Sequence, residues 1–236
     1  MREQGPYIHI CSSPRNGFIV AGSPSWRTGH QLPFGKDKPD GIYASWSWNG
    51  RELDVTNDRY GFQPLYYFER DGEIGVSPSI PALLALGVSR ELDDDAISAF
   101  LRTGFYIGED TPFKHIRLIP PVKRFRWTGD KAKIETSFPR NRVTSIGREQ
   151  AIEGYVELFR EAVRRRLRPE ESYILPVSGG RDSRHILFEL CHLGRPPRLC
   201  VTAEGHPATA KEDMRIGKLM SEHLGVVHHS VPQPPL

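Results

Sequence analysis

The chain reads as a β-rich α+β first part followed by a parallel α/β second part, and three observations predict this. Up to about residue 142, short apolar runs alternate with Asn-Gly, Asp-Gly and Pro-containing turns, the pattern of antiparallel strands. From about residue 143, helical periodicity takes over and alternates with brief apolar runs, the pattern of strand–helix–strand units. Between a strand and a helix of that second part sits Ser178-Gly179-Gly180-Arg181-Asp182-Ser183. The domains expected are therefore 1–142 and 143–236.

In chain order, Tyr7, Ile8 and Ile10 open a strand, and a turn at Pro14-Arg15-Asn16-Gly17 leads into Phe18, Ile19 and Val20 as a hairpin. Residues 22–40 are rich in Gly, Pro, Ser and Lys and are expected to be loop. Residues 42–48 alternate as a strand, 51–56 follow a turn at Asn49-Gly50, and 65–68 precede one at Asp71-Gly72. A short helix is predicted over 81–86, ending at Gly87. A second begins at Asp93, Asp94 and Asp95, whose carboxylates suit a helix start, and ends before Gly104. Residues 149–168 form an amphipathic helix with Ile152, Val156, Phe159, Val163 and Leu167 on one face.

Ile174, Leu175 and Val177 then make a buried strand, and Ile186, Leu187, Leu190 and Cys191 recur at helical spacing up to Gly194. The next strand covers 199–202. Thr209 and Glu212 form a capping-box pattern before a helix carrying Ile216, Leu219, Met220 and Leu224. His228 and His229 lie on a last strand; adjacent strand residues face opposite ways, so the pair is read as structural and not as joint ligands of one metal.

The 236 residues are 38% hydrophobic and 26% charged, ordinary for a globular protein. No apolar run reaches the length of a membrane span, and the first ten residues lack the pattern of a secretory signal. Three scattered cysteines, Cys11, Cys191 and Cys200, form no CxxC, and an odd count argues against a disulfide framework, so a reducing cytoplasm is the expected location. Net charge is +3. Arg164, Arg165, Arg166 and Arg168 close a helix, where cations face the negative end of the dipole, and no aromatics interleave them as a nucleic-acid surface requires.

The 178–183 segment carries the chemistry. Two glycines let a bulky anion approach the backbone, a helix N-terminus offers free N–H groups, and Ser178 and Ser183 add hydroxyls. Asp182 repels a bare phosphate and fits only with a bridging magnesium ion. Taken alone, Ser-Gly-Gly reads first as a tight turn with Asp182 as a helix cap. The whole string has the form SGGxDS, which resembles the pyrophosphate-binding loop of ATP pyrophosphatase enzymes. These cut ATP between its α- and β-phosphates.

A second resemblance lies upstream. Gly41, Ile42, Tyr43 and Ala44, then Asp58-Arg59-Tyr60-Gly61-Phe62-Gln63-Pro64-Leu65-Tyr66-Tyr67, resemble the G-x-F-A and D-R-x-G-x-x-P-L-Y-Y segments of class II glutamine amidotransferase domains. Residues 77–84, with Ala82-Leu83-Leu84, and Thr111 through Pro121, with Val122 where that family has glycine, continue it. Leu224-Gly225-Val226-Val227-His228-His229 resembles a segment that leads into the next strand. Together the layout resembles the asparagine synthetase family.

That resemblance implies a degenerate Ntn-type amidotransferase-like domain over 1–142 and a partial ATP-pyrophosphatase domain over 143–236. It implies an ATP-dependent ligase that adenylates a carboxylate and couples it to ammonia or an amine, with ATP and Mg2+ as cofactors. Ser178, Gly179, Gly180, Asp182 and Ser183 would hold pyrophosphate, Asp182 the magnesium, and Val177, Val201 and Thr202 would lie near the adenosine. Arg181 and Arg184 depart from the small or apolar residues common there. The family's N-terminal cysteine is missing, since residue 2 is Arg2, and no N-G-E-x-Y-N segment is found, so glutaminase activity is expected to be absent. Three parallel strands are fewer than the usual five or so, which points to a truncated product or to a partner chain that completes the site. The alternatives are a non-catalytic fragment binding nucleotide or a partner chain, and a tRNA-modifying pyrophosphatase. The acceptor carboxylate stays open: aspartate, a β-amino acid or a peptide.

Overall fold

The computed structural model describes residues 5–13, 17–32, 40–136, 145–204 and 209–232. The chain divides into two compact units, Met1–Arg142 and Val143–Leu236. Arg2, the turn residues 14–16 and the side chain of Thr209 lie outside the described residues.

In the first unit the strands are β1 (Ile8–Ser13), β2 (Gly17–Gly22), β3 (Ser25–Leu32), β4 (Asp40–Trp48), β5 (Leu53–Asn57), β6 (Tyr66–Arg70), β7 (Glu73–Ser77), β8 (Arg117–Leu118), β9 (Val122–Trp127) and β10 (Lys133–Thr136). They form two five-stranded antiparallel sheets, ordered β2-β1-β7-β6-β8 and β10-β9-β5-β4-β3. The alternation of β1 puts Ile8 and Ile10 inside. With Ile74 and Val76 they meet Trp46, Val55, Phe125 and Trp127 of the second sheet in one core. The outer face of the first sheet is covered by α1 (Ile80–Ala85), where Leu83 packs with Phe68, Val88 and Ile116.

Helix α2 (Asp94–Thr103) starts and stops for identifiable reasons. The Asp93 carboxylate accepts from the Ala96 N–H at 3.1 Å, and Gly104 closes the helix in the left-handed conformation at φ 81°.

The expected loop over 22–40 is wrong in part, since β3 occupies Ser25–Leu32. It is an edge strand, so its alternation is mostly polar and has a single large apolar anchor: Trp26 stacks on Trp46 with ring centroids 4.5 Å apart. Strands β7, β8, β9 and β10 also escaped the sequence reading. Phe125 and Trp127 alternate with Arg124 and Arg126 in β9, a period-two signal that was available.

The second unit runs α3 (Arg148–Arg166), β11 (Ile174–Pro176), α4 (Arg181–His192), β12 (Leu199–Glu204), α5 (Thr209–His223) and β13 (His228–Pro232). Its three strands are parallel in the order β11-β12-β13. Val177, Leu187, Cys200 and Val226 form the core, joined by Leu175, Cys191, Met220 and Leu224. By strand alternation the opposite sheet face carries Ile174, Val227 and Val231, all half-exposed or more. The predicted apolar face of α3 buries no residue; Ile152 and Val156 stay exposed, and its second half meets α4 through Arg160–Glu189 at 2.7 Å. All three cysteines are free, and no helix among the described residues is long and apolar enough to cross a membrane.

Candidate functional site

Loop 178–183 follows the carboxyl end of β11 and runs straight into α4, the place where parallel sheets present their ligand sites. The geometry within the loop is tightly engaged. The Ser178 N–H donates to Ser183 Oγ at 3.1 Å, and the two serine hydroxyls lie 3.4 Å apart. The Gly180 N–H donates to Ser178 Oγ at 3.1 Å. The Gly179 N–H donates to Asp213 Oδ1 of α5 at 2.8 Å. A Cβ at Gly179 would stand 2.6 Å from that carboxylate oxygen, so glycine is what admits Asp213.

The amides of 178–180 are therefore occupied. What faces outward is the first turn of α4: Gly180 is the N-cap and has no side chain to cap it, and Asp182 is exposed on that turn. The amides of Arg181, Asp182 and Ser183 have no acceptor among the described residues, and with the helix dipole they give this turn a partial positive charge. Arg184 turns back, its Nε donating to the Gly180 carbonyl at 3.1 Å, while Arg181 is exposed.

Ser178, Gly179, Gly180, Asp182 and Ser183 thus share one turn, whereas Val177, Val201 and Thr202 form its foundation. Val177 is buried in the core, its N–H donates to the Val201 carbonyl at 2.8 Å, and its carbonyl accepts from the Thr202 hydroxyl at 2.8 Å. That hydroxyl also accepts from His228 Nε2 at 2.9 Å. Burial, then the charge of Lys218, pushes the His228 imidazole below its usual value. His228 is thus a structural partner of Thr202, and His229 is exposed. Gly217 of α5 lets the helix approach this group: a Cβ there would be 2.8 Å from Thr202 Oγ1.

Asp213 was not found from the sequence. It binds a glycine 34 residues away and belongs to no local pattern; its neighbour Glu212 instead pairs with Arg215 at 2.6 Å. A magnesium ion at Asp182 would draw its remaining ligands from phosphate oxygens and water, as Mg2+ commonly does.

The first unit's motif residues serve as internal staples. Asp58 is fully buried; its Oδ1 accepts from the Tyr60 and Phe62 N–H groups at 3.0 and 3.2 Å, and its Oδ2 from Gln63 N–H at 3.1 Å. Asn57 Nδ2 donates to the Ile119 and Pro120 carbonyls. The Thr111 hydroxyl donates to the Ile116 carbonyl at 2.7 Å, and the Ser77 hydroxyl to the Pro6 carbonyl at 2.7 Å. The turn over 58–64 presents Tyr60 and Phe62 to solvent, about two-thirds exposed (66% and 65%).

Residues 34–138 match the family described as Glutamine amidotransferase domain. The chain is similar to Amidase chry2 of Gibberella zeae, with 23% identity over 208 residues, 80% of this chain and 31% of that protein. It therefore spans about a third of that relative's length. Among solved structures it is similar to one described as the allosteric regulatory enzyme of purine biosynthesis, at 12% identity and a TM-score of 0.33, covering 96% of this chain and 62% of that one. Residues 34–138, within the first unit, are thus similar to a glutamine amidotransferase-type domain.

Proposed function

We propose that the chain is an asparagine synthetase-like, ATP-dependent amide-forming ligase whose second unit is an ATP-pyrophosphatase domain. The observation that carries this reading is the 178–183 loop at the carboxyl end of a parallel strand, opening onto the uncapped first turn of α4. In the reaction an acceptor carboxylate oxygen attacks the α-phosphorus of ATP, the bond to the β-phosphate oxygen breaks, and pyrophosphate leaves. Ammonia or an amine then attacks the acyl carbon, loses a proton and displaces AMP.

The loop's part is to hold the leaving pyrophosphate. The amides of Arg181, Asp182 and Ser183 and the two serine hydroxyls would face its oxygens, and Asp182 would face the magnesium ion. Asp213 fixes the loop's shape by occupying Gly179 N–H. Val177, Val201 and Thr202 act in this reading by positioning the loop from beneath. The partners are ATP, an amino-acid or peptide carboxylate, and a partner chain where the acceptor site lies outside this one.

A second reading is a non-catalytic chain that binds nucleotide weakly or docks a partner; the internal engagement of the 178–180 amides, which leaves fewer donors for phosphate, favours it. The tRNA-directed alternative is less favoured, because the basic cluster it would use is partly engaged within its own segment. Arg164 pairs with Glu161 and Arg168 with Glu171, both at 2.8 Å, and the Arg166 guanidinium donates to the Ala162 carbonyl.

Thermal unfolding with ligand tests the proposal. Pyrophosphate and ATP should raise Tm only with magnesium, increasingly with concentration as mass action requires, and AMP should do much less. Asp182→Ala should remove the magnesium-dependent part. Exchange of labelled pyrophosphate into ATP, given an acceptor carboxylate, separates ligase from binder. No shift at millimolar Mg2+ and ligand would refute nucleotide binding by this loop.

A further inference from the structure

The outer face of the first sheet carries a cluster that the ligase reading does not use. His9 and Cys11 are two residues apart on β1, so both leave the same face, and Cys11 stands directly opposite Glu73 of β7. His9 Nε2 lies 2.5 Å from Glu73 Oε1 and 3.4 Å from Cys11 Sγ. The donor atoms of the three residues all lie within 4.8 Å of one another. The His9 and Glu73 side chains are only 18% and 15% exposed, so the cluster is sheltered yet reachable.

The surroundings hold these donors in place. His9 stands opposite Gly75, whose missing Cβ makes room for the Phe68 ring; a Cβ there would lie 2.2 Å from Phe68 Cε1. That ring, 5.8 Å from the imidazole, gives the cluster an apolar floor. Arg70 grips Glu73 through both carboxylate oxygens, its Nη2 on Oε1 at 2.8 Å and its Nε on Oε2. That hydrogen bond first, and then the contact with His9, holds the Glu73 carboxyl below the usual range.

A cysteine, a histidine and a carboxylate suggest a nucleophile relay, but the geometry excludes it. A relay needs the thiol on one imidazole nitrogen and the carboxylate on the other. Here both fall on Nε2. Burial, and then the Glu73 charge, also pushes the Cys11 thiol up, away from a reactive thiolate.

Three different donors converging on one point suit a cation instead. We propose that His9 Nε2, Cys11 Sγ and Glu73 Oε1 form a binding site for a zinc-class divalent metal ion, with Arg70 steadying the carboxylate from behind. Thiolate plus imidazole selects such ions over magnesium or calcium. Tetrahedral bonds of about 2.3 Å to sulfur and 2.0 Å to nitrogen place the two donors about 3.5 Å apart, close to the 3.4 Å observed. On binding, the Nε2···Oε1 hydrogen bond opens as the ion takes its place. The imidazole proton moves to Nδ1, and the Cys11 proton is released to solvent. Three protein ligands leave a fourth position open to water.

Cobalt(II) is the probe that reads this site without any catalytic assay. Titrated into the full chain, it should give a thiolate-to-cobalt charge-transfer absorption that saturates at one ion per chain and is displaced by zinc. Cys11→Ser should erase the absorption, Glu73→Gln should weaken binding, and Arg70→Gln should cost on the order of 10- to 100-fold in affinity. A Cys191→Ser/Cys200→Ala variant should keep the absorption. Tryptophan fluorescence checks that the first unit is folded in each variant, and far-UV circular dichroism checks the second. Absence of the absorption in the wild type, or its loss in the Cys191/Cys200 variant with retention in Cys11→Ser, would overturn the site.

Discussion

Two glycines sit inside helices of the second unit, and replacing each with alanine should move stability in opposite directions. Alanine is favoured over glycine in a helix by about 1 kcal/mol, so propensity alone predicts a gain at both. At Gly154 of α3 nothing lies within 4 Å of the added Cβ, and Gly154→Ala should stabilise by about 0.5–1 kcal/mol. At Gly217 of α5 the Cβ would lie 2.8 Å from Thr202 Oγ1 and 3.2 Å from Val177 Cγ2. Thr202 cannot rotate away without giving up its bonds to the Val177 carbonyl and His228, each worth about 1 kcal/mol. Shifting α5 instead strains a close-packed core by about 1–3 kcal/mol. Either route exceeds the propensity gain, and a net loss of about 1–2 kcal/mol is expected. The chain has four tryptophans, all in the first unit, so their fluorescence reports that unit, while far-UV circular dichroism is dominated by the longer helices α3, α4 and α5. In urea, Gly217→Ala should lower the dichroism midpoint. A Gly217→Ala chain as stable as wild type would refute the close approach of α5 to Thr202.

Other expected outcomes concern both units. Asp58→Ala removes a buried carboxylate that accepts three backbone N–H groups and should cost about 3–5 kcal/mol, read by tryptophan fluorescence in urea; Asp58→Asn, which keeps one acceptor oxygen, should cost less. His228 has a folded pKa below its free value of 6.5, so between the two values the unfolded chain binds more protons. Its contribution is complete above about pH 6.5 and is lost as pH falls toward the folded value; second-unit stability, read by far-UV circular dichroism in urea, should drop on acidification.

The sequence made some features plain because their signals are local. Asp93 and Gly104 bracket α2 by cap chemistry within a single turn. The strand–loop–helix around 178–183 needs only neighbouring residues to be read. What stayed hidden depends on distant partners. The buried acceptor role of Asp58 shows only when the turn folds around it. Asp213 reaches Gly179 from another helix. Glu73 joins His9 and Cys11 through the pairing of β1 with β7. Strand β3 was hidden for a different reason: an edge strand has little apolar alternation to display.

The pairing of β1 with β7 also sets a timetable. The Ser77 hydroxyl that ties down the start of β1 lies 71 residues after its acceptor, Pro6. At the roughly 5–20 residues per second of synthesis, β1 waits roughly 4–14 s for this partner. Only β2 can join it early, leaving Ile8 and Ile10, fully buried at the end, without their core. Long-range pairing of this kind also slows refolding, because loop closure precedes any contact energy. During those seconds Ile8 and Ile10 have only the β2 strand as a partner and stay in contact with water. The second unit, built from consecutive strand–helix–strand steps, has no comparable wait among its described strands.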